Sequence, residues 1–157
     1  MHADGNLTIS DGTVDITKSY EGIEGSIVTI DGGTISVVAS DDGINCAGGS
    51  DTGSTDRMGA DQFSSQDGVE LNINGGTITI DAEGDGLDSN GNFTMAGGTV
   101  YVCGPTNGGN GALDYNGTAT VTGGTLIACG AVGMEEGFGD SSTPVSYTHL
   151  TLPTIRL

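Results

Sequence analysis

The chain has 157 residues, of which 21 are Asp or Glu and only 3 are Lys or Arg, so its formal net charge is −18 at pH 7. This charge disfavours nucleic-acid binding, because contacts to phosphates need cationic side chains. No apolar run is long enough to predict insertion into a membrane. The 30 glycines argue against helices. The acidity indicates bound cations or an extracellular protein.

In chain order, a short phrase of glycine, threonine and alternating aliphatic residues occurs five times. The copies are residues 11–16, 32–37, 75–80, 97–102 and 123–128. Their threonines are spaced by 21, 43, 22 and 26 residues. A period of about 22 residues is typical of a solenoid. The spacing of 43 residues indicates a rung with a long insertion.

Four apolar columns accompany the repeat, at six and four residues before each threonine and at one and three residues after it. The spacing of two within each pair is the period of a strand. Five residues separate the pairs, which is an odd number, so a corner at the glycines must turn both pairs toward one interior. The columns are Leu7, Val28, Leu71, Phe93 and Ala119; Ile9, Ile30, Ile73, Met95 and Val121; Val14, Ile35, Ile78, Val100 and Leu126; and Ile16, Val37, Ile80, Val102 and Ala128.

A fifth apolar column predicts a third short strand in each rung. Its members are Ile23, Ile44, Leu87, Leu113 and Phe138. The fold expected is all-β: a right-handed parallel β-helix of about five rungs, each of about 22 residues, without end caps. A low-complexity disordered chain is the alternative, but five aligned apolar columns argue against it.

The sequence predicts that the repeat is truncated at both ends of the chain. Residues 145–154 resemble the translated read-through of a transposase sequencing adapter, so we expect a β-helix domain over 1–143 and an artefactual tail over 144–157. Residues 3–9 align with residues 89–95. The first residues are therefore expected to end a rung that began upstream.

Acidic residues cluster around the fifth apolar column. Where rungs are neighbours, carboxylates would lie about 5 Å apart and repel each other by roughly 3 kcal/mol at an effective dielectric constant near 20. A calcium ion would remove this repulsion, since it takes six to eight oxygen ligands. The predicted ligands are Glu21, Glu24, Asp42, Asn45, Glu83, Asp85, Asp88 and Asp114, with Asp41 beside them. The alternative is that these acids were selected for turns and remain solvated.

The cysteines are three in number, Cys46, Cys103 and Cys129. Cys103 and Cys129 each follow their threonine by four residues, so they should be neighbours on adjacent rungs. A rung spacing near 4.8 Å is wide for a disulfide, whose Cβ atoms lie about 3.8 Å apart. The spacing therefore favours stacked free thiols, and the cysteines do not identify the compartment.

Four phrases carry a family resemblance: HADGNLTI at 2–9, DDGIN at 41–45, NGGTI at 74–78 and DGLDSNG at 85–91. Over residues 2–143 the chain resembles bacterial carbohydrate-binding parallel β-helix proteins, which polysaccharide-degrading anaerobes secrete or display on their surface. Such proteins resemble pectate lyases in fold, bind calcium, and bind plant cell-wall polysaccharides such as cellulose and acidic pectic chains. The resemblance implies a calcium role for the acidic columns. The chain departs from it at Gly111, where an acid is expected, and at Cys46.

The resemblance implies a non-catalytic, calcium-dependent binder of an extracellular polysaccharide, located outside the cell or on its surface. Arg57 and Tyr115 are the candidate carbohydrate contacts, and no catalytic residue is assigned. A fragment of a polysaccharide lyase or glycoside hydrolase is the first alternative. A lyase needs a cationic base, for which Lys18 and Arg57 are the available residues, and the Gly-His-Gly and Arg-Ile-Lys motifs of polygalacturonases are absent from the sequence.

A structural role, as an adhesin or an ice-binding solenoid, is the second alternative. It depends on an outward ladder of threonines, which Asn72 interrupts. The ladder comprises Thr8, Thr29, Thr94 and Thr120. Because threonine is common on the outer face of any strand, this ladder favours the structural role only weakly. The sequence leaves the oligomeric state open.

Overall fold

The computed structural model describes residues 1–47, 65–131, 134 and 136–138. These residues form fourteen strands, and no helix among them is long and apolar enough to cross a membrane. The strands are β1 Asn6–Ile9, β2 Thr13–Ser19, β3 Ile23–Gly25, β4 Ile27–Ile30, β5 Thr34–Ala39, β6 Ile44–Cys46, β7 Glu70–Ile73, β8 Thr77–Ala82, β9 Leu87–Ser89, β10 Asn92–Met95, β11 Thr99–Cys103, β12 Leu113–Tyr115, β13 Ala119–Val121 and β14 Thr125–Cys129. The expected tail at 144–157 lies outside the described residues, and so does Arg57.

The strands stack into three parallel sheets. Sheet I has the order β1-β4-β7-β10-β13, sheet II the order β14-β11-β8-β5-β2, and sheet III the order β12-β9-β6-β3. Successive strands along the chain therefore visit the three sheets in turn, which confirms the predicted parallel β-helix. The repeated threonines are in register, since Thr34 pairs with Thr77 and Thr77 pairs with Thr99.

The apolar columns fill the interior, as predicted, with the exception of Ala128 on β14, which is exposed. In the central rungs Ile35, Ile78 and Val100 are at most 1% exposed, and burying such a side chain contributes about 1.5–3 kcal/mol. Burial is less complete at the ends of sheet II, because a terminal strand has a neighbour on one side only. Thus Val14 on β2 and Leu126 on β14 are half-buried.

The first four members of the fifth column are buried, whereas the last is half-buried. The buried members are Ile23, Ile44, Leu87 and Leu113. Phe138 lies outside the strands and is half-buried. Its ring lies 6.1 Å from the ring of Phe93, so it packs against the core beside β10.

The turn between sheets I and II, which we name the glycine corner, repeats one backbone conformation. Its members are Gly12, Gly33, Gly76, Gly98 and Gly124, all with positive φ. At Gly76 φ is +89°, and a Cβ atom would lie 3.0 Å from the carbonyl oxygen of Gly33 on the preceding rung. Glycine is required there by both conformation and space.

The outward positions are more covered than the alternation of strands predicts. Thr79 is exposed as expected, but Thr29, Ser36 and Asn72 are half-buried. Strands about 4.8 Å apart allow stacked side chains to cover one another. The threonine ladder of sheet I is in register from Thr8 to Thr120, with Asn72 in its middle.

Candidate functional site

A second turn connects sheet II to sheet III, and we name it the acidic corner (residues 20–22, 41–43 and 84–86). Backbone hydrogen bonds stack its residues from rung to rung. The amide of Gly22 donates to the carbonyl of Asp42, and the amide of Gly43 donates to the carbonyl of Asp85, both at 2.9 Å. Glu21, Asp42 and Asp85 therefore form the predicted column, and Gly111 continues it, since its carbonyl accepts from the amide of Gly86.

The glycine after each acid lets the corner lie directly against the core. A Cβ atom at Gly43 would lie 2.3 Å from Cγ2 of Ile80 and 2.6 Å from the carbonyl oxygen of Gly86. A side chain there would push the corner outward. The Asp-Gly pair consequently holds the aspartate close to the body of the protein, where water is partly excluded.

The second predicted column lies on the outer face of sheet III. Glu24, Asn45, Asp88 and Asp114 are in register on β3, β6, β9 and β12. On β9, Leu87 and Ser89 are buried while Asp88 between them faces outward and is half-buried. The single outward residue of each short strand is therefore an acid or an amide.

The two columns meet at Asp42, Asp85 and Asp88, which we name the acidic cluster. One carboxylate oxygen from each residue lies within 4.8 Å of the corresponding oxygens of the other two, and all three residues are half-buried. Asp85 and Asp88 belong to one rung, and Asp42 belongs to the rung before it. The cluster exists only when these two rungs are docked.

Backbone amides orient two of the three carboxylates. Oδ1 of Asp42 accepts a hydrogen bond of 2.7 Å from the amide of Asp85, and Oδ1 of Asp85 accepts one of 2.5 Å from the amide of Gly111. Each aspartate thus uses one oxygen to bind the next rung.

Burial makes the cluster costly to ionise without a cation. It raises the pKa of Asp42 to about 7, with a further contribution from the neighbouring charge of Asp85. It also raises the pKa of Asp85 to about 6 and holds the pKa of Asp88 well above its usual range, with Asp42 and Asp114 adding repulsion. Among the described residues, the side-chain ion pairs are those of His2, so the cluster has no cationic partner there.

Asn45 supplies a further oxygen next to the cluster. It is the register partner of Asp88 on the adjacent strand. Its Oδ1 is buried and accepts no hydrogen bond within the part of the chain that is described. A buried carbonyl oxygen without a donor is destabilising, and a bound cation would satisfy it.

The other predicted ligands have different surroundings. Glu24 contacts His2, whose Nδ1 lies 2.6 Å from Oε2 of Glu24. Asp4 and then Glu24 raise the pKa of that histidine. Glu83 is exposed, and Asp114 is half-buried with its pKa raised by burial. The charge of Glu21 adds to the repulsion at Asp42 and Asp88.

Two further residues, Glu136 and His2, interact with members of the two columns. Glu136 follows the last strand, and its Oε2 accepts a hydrogen bond of 2.9 Å from the amide of Tyr115. Its charge also raises the pKa of Asp85. His2 forms an isolated parallel bridge with Glu24 and so continues the second column. Glu136 follows the last copy of the phrase, so its contact could not be expected from the repeat. The alignment of residues 3–9 with residues 89–95 places His2 level with Asp88, so the sequence did contain a signal for its position in the second column.

The aromatic side chains differ in their availability to a sugar. Tyr115, a predicted carbohydrate contact, is half-buried against the core, and its hydroxyl donates to the carbonyl of Gly137. Tyr20 is 63% exposed and precedes Glu21 at the acidic corner. Tyr101 is 44% exposed, on the outer face of sheet II. Tyr101 lies two residues after its threonine, and this position in the repeat already indicated that its side chain faces outward.

Comparison with known proteins identifies the family of the chain. Residues 1–111 match the family described as "carbohydrate-binding domain-containing protein". No curated protein matches the chain, and no solved structure matches it. The matched range contains the whole acidic cluster, the glycine corner through Gly98, and the exposed rings of Tyr20 and Tyr101. Because the match covers more than half of the 157 residues, the chain belongs to the family of carbohydrate-binding domain-containing proteins.

Proposed function

We propose that this β-helix binds an extracellular polysaccharide without cleaving it, and that calcium held at the acidic cluster is required for the binding. Family membership supports the carbohydrate part of the proposal and favours a binding role over catalysis. The observation that carries the calcium part is the convergence of the carboxylates of Asp42, Asp85 and Asp88.

The donor set suits calcium. Calcium binds carboxylate and amide oxygens at 2.3–2.6 Å, so two ligands on opposite sides of the ion are separated by roughly 5 Å. The oxygens of the cluster lie within 4.8 Å of one another, and Oδ1 of Asn45 offers a fourth ligand of the same kind. Magnesium is less suitable, because it demands near-octahedral geometry at about 2.0–2.1 Å and retains its water.

A calcium ion at this position would also have open coordination sites. The three aspartates and Asn45 supply about four of the six to eight oxygens that calcium takes. Water or a ligand would supply the rest. A sugar carboxylate suits these open sites. A protein of formal charge −18 repels uronic-acid polymers unless a cation bridges the two, and calcium at the cluster would be that bridge. We therefore propose acidic polysaccharides, including pectic chains, as the ligand class.

Tyr20 is the proposed sugar contact beside the cation. Its carbonyl accepts a hydrogen bond of 2.9 Å from the amide of Asp41, which places it on the same corner as the acidic cluster. Its ring is exposed, and an aromatic ring contributes apolar contact to a sugar face. This placement would let one saccharide contact the cation and the ring together.

Binding to immobilised polygalacturonate, with an uncharged β-glucan in parallel, tests the proposal. We expect retention on polygalacturonate with calcium, loss of retention with a chelator, and little rescue by magnesium. Asp88→Asn should weaken the calcium-dependent retention, while Asp15→Asn, which alters an exposed acid of sheet II, should not. Retention that is the same with chelator and with calcium would contradict the proposal. Release of unsaturated oligosaccharides would favour the lyase alternative.

The outer face of sheet II supports a second candidate function, calcium-independent binding of an uncharged polysaccharide. Tyr101 pairs in register with Ile127, which is 54% exposed, and Thr99 and Thr125 stack beside them. The outward residues of β11 and β14 carry no carboxylate, in contrast to the rest of this acidic chain. Tyr101→Ala should reduce retention on the β-glucan and leave calcium-dependent retention on polygalacturonate unchanged.

A further inference from the structure

A pair of cysteines lies on the outer face of sheet II. Cys103 ends β11 and Cys129 ends β14, and they are register partners in a parallel pair of strands. Both are free and exposed, whereas Cys46 is buried. The two thiols therefore lie side by side in a place that solvent and small oxidants reach.

We propose that Cys103 and Cys129 form a redox-reversible disulfide that connects β14 to β11. In-register strands place their Cα atoms about 4.8 Å apart, within the 4.4–6.8 Å that disulfides span. At this spacing the reduced thiols are stacked without a bond, as the sequence predicted, so their Cβ atoms must approach from about that distance to 3.5–4.5 Å to form one. This movement is small, and β14 is free to make it, because within the described residues it ends the sheet and four of its five residues are exposed.

The orientation of one sulfur supports the pairing. The thiol of Cys129 donates a hydrogen bond of 3.4 Å to the carbonyl of Val102, so Sγ of Cys129 already leans over the backbone of β11. The thiol of Cys103 has its pKa raised by partial burial and by the neighbouring thiol of Cys129, with Asp81 adding to the effect. Exchange should therefore be faster in mildly alkaline solution, where more thiolate is present.

A small-molecule disulfide such as oxidised glutathione is the oxidant. The thiolate of one cysteine attacks a sulfur of the oxidant, forms a mixed disulfide and releases one small thiol. The second cysteine loses its proton and attacks the protein sulfur of the mixed disulfide, and the second small thiol departs. Overall, two protein thiols and one oxidised small molecule give one protein disulfide and two small thiols.

The bond would close a covalent ring around one rung. Residues 104–128 lie between the two cysteines and contain β12 and β13. They also contain Gly111, whose amide binds Asp85, and Asp114. Closing a loop of this length restricts the unfolded chain, so oxidation should stabilise the rung that lies next to the acidic cluster.

Intact-protein mass and thiol titration in denaturant test the proposal after incubation with oxidised glutathione at mildly alkaline pH. We expect a mass lower by two hydrogen atoms without a glutathione adduct. One reactive thiol, that of Cys46, should remain of the three. The melting temperature should rise by roughly 5–10 °C and return after reduction.

The variants Cys103→Ser and Cys129→Ser should retain a glutathione adduct and show no rise in melting temperature, while Cys46→Ser should behave as the parent does. Circular dichroism would confirm that each variant is folded. Three titratable thiols after oxidation, two stable adducts on the parent, or a disulfide-linked dimer would each overturn the proposal.

Discussion

The glycine corner and the acidic corner flank the same sheet, yet they differ in what joins one rung to the next. At the glycine corner the backbone of one rung packs directly on the backbone of the next, and each glycine has a positive φ that disfavours a side chain. At the acidic corner side-chain contacts are added to the backbone hydrogen bonds between rungs, with Asp42 and Asp85 accepting from amides. The first arrangement serves shape alone. The second adds partly buried charge that a cation would stabilise.

The largest effect is expected from a side chain at the glycine corner. Gly76→Ala should destabilise the protein by about 2–4 kcal/mol, because it combines an unfavourable φ of +89° with a Cβ placed 3.0 Å from the backbone of the preceding rung. Gly12→Ala is the matched control, since Gly12 has φ +103° and nothing within 4 Å of its Cβ position. It should cost about 1–2 kcal/mol. Chemical denaturation of both variants measures the difference, and equal losses would show that backbone packing does not distinguish the two positions.

The next effect concerns the cation at the acidic corner. If calcium binds the folded protein only, an excess of 100 times the dissociation constant should stabilise the parent by about 2.7 kcal/mol. Asp88→Asn should lose most of this gain, because it removes one charged ligand, while Asp15→Asn should keep it. Thermal melts across a calcium titration measure both. Equal shifts with calcium, magnesium and added monovalent salt would indicate screening of solvated acids and would contradict a specific site.

A smaller effect is expected from pH in the absence of metal. The folded pKa values of Asp42, about 7, and Asp85, about 6, exceed the usual value of 3.8, so the folded protein holds protons that the unfolded chain releases. Stability should therefore decrease as the pH rises from about 4 through 7. Denaturation midpoints between pH 5 and 8 measure the decrease.

The variant Asp42→Asn separates this local effect from the repulsion of the whole acidic chain. It should flatten the decrease but not abolish it, because Asp85 and Asp88 remain. Saturating calcium should reverse the trend, because the carboxylates must lose their protons to bind it. Stability of the parent that rises with pH in the presence of a chelator would show that the cluster is not buried as described.

The smallest effect should come from a side chain at the glycine corner that contacts only another side chain. Nδ2 of Asn74 donates a hydrogen bond of 2.8 Å to Oδ1 of Asp31 at an exposed position. Asn74→Ala should cost less than about 1 kcal/mol. A loss as large as that of Gly76→Ala, measured in the same denaturation assay, would mean that side chains also hold this corner.

Much of the fold could be predicted because the same pattern of apolar residues and glycines recurs in every copy of the repeat. The aligned columns that contain Ile30, Ile35 and Ile44 predicted the interior, and all three residues are buried. The odd spacing between the column pairs predicted the corner at which Gly33 and Gly76 adopt positive φ. Pairing between rungs is periodic, so one correct alignment determines the register of most strands. The exception is the end of β2, where the register against β5 shifts between Ile16 and Ser19.

The sequence predicted the two acidic columns of the candidate site, but it did not predict that they converge at Asp42, Asp85 and Asp88. Asp85 and Asp88 could be assigned to two columns, but the position of Asp42 relative to them depends on how the corner folds. Glu83 directly follows β8 and continues its alternation of exposed and buried residues, so its side chain is exposed. Its closeness in sequence to other acids does not reveal this. The alignment of residues 3–9 with residues 89–95 places His2 in the same column as Glu24, but a period alone does not show that the two side chains are in contact.

The location of the cluster across two rungs has a consequence for how the solenoid unfolds. In a stack where each rung contacts only its neighbours, opening proceeds from an end, one interface at a time. A ligand that needs Asp42 from one rung and Asp85 and Asp88 from the next strengthens a single interface of the stack. Fraying would then stop at that interface, and amide hydrogen exchange would show a step in protection between β6 and β9 whose height depends on the free cation concentration.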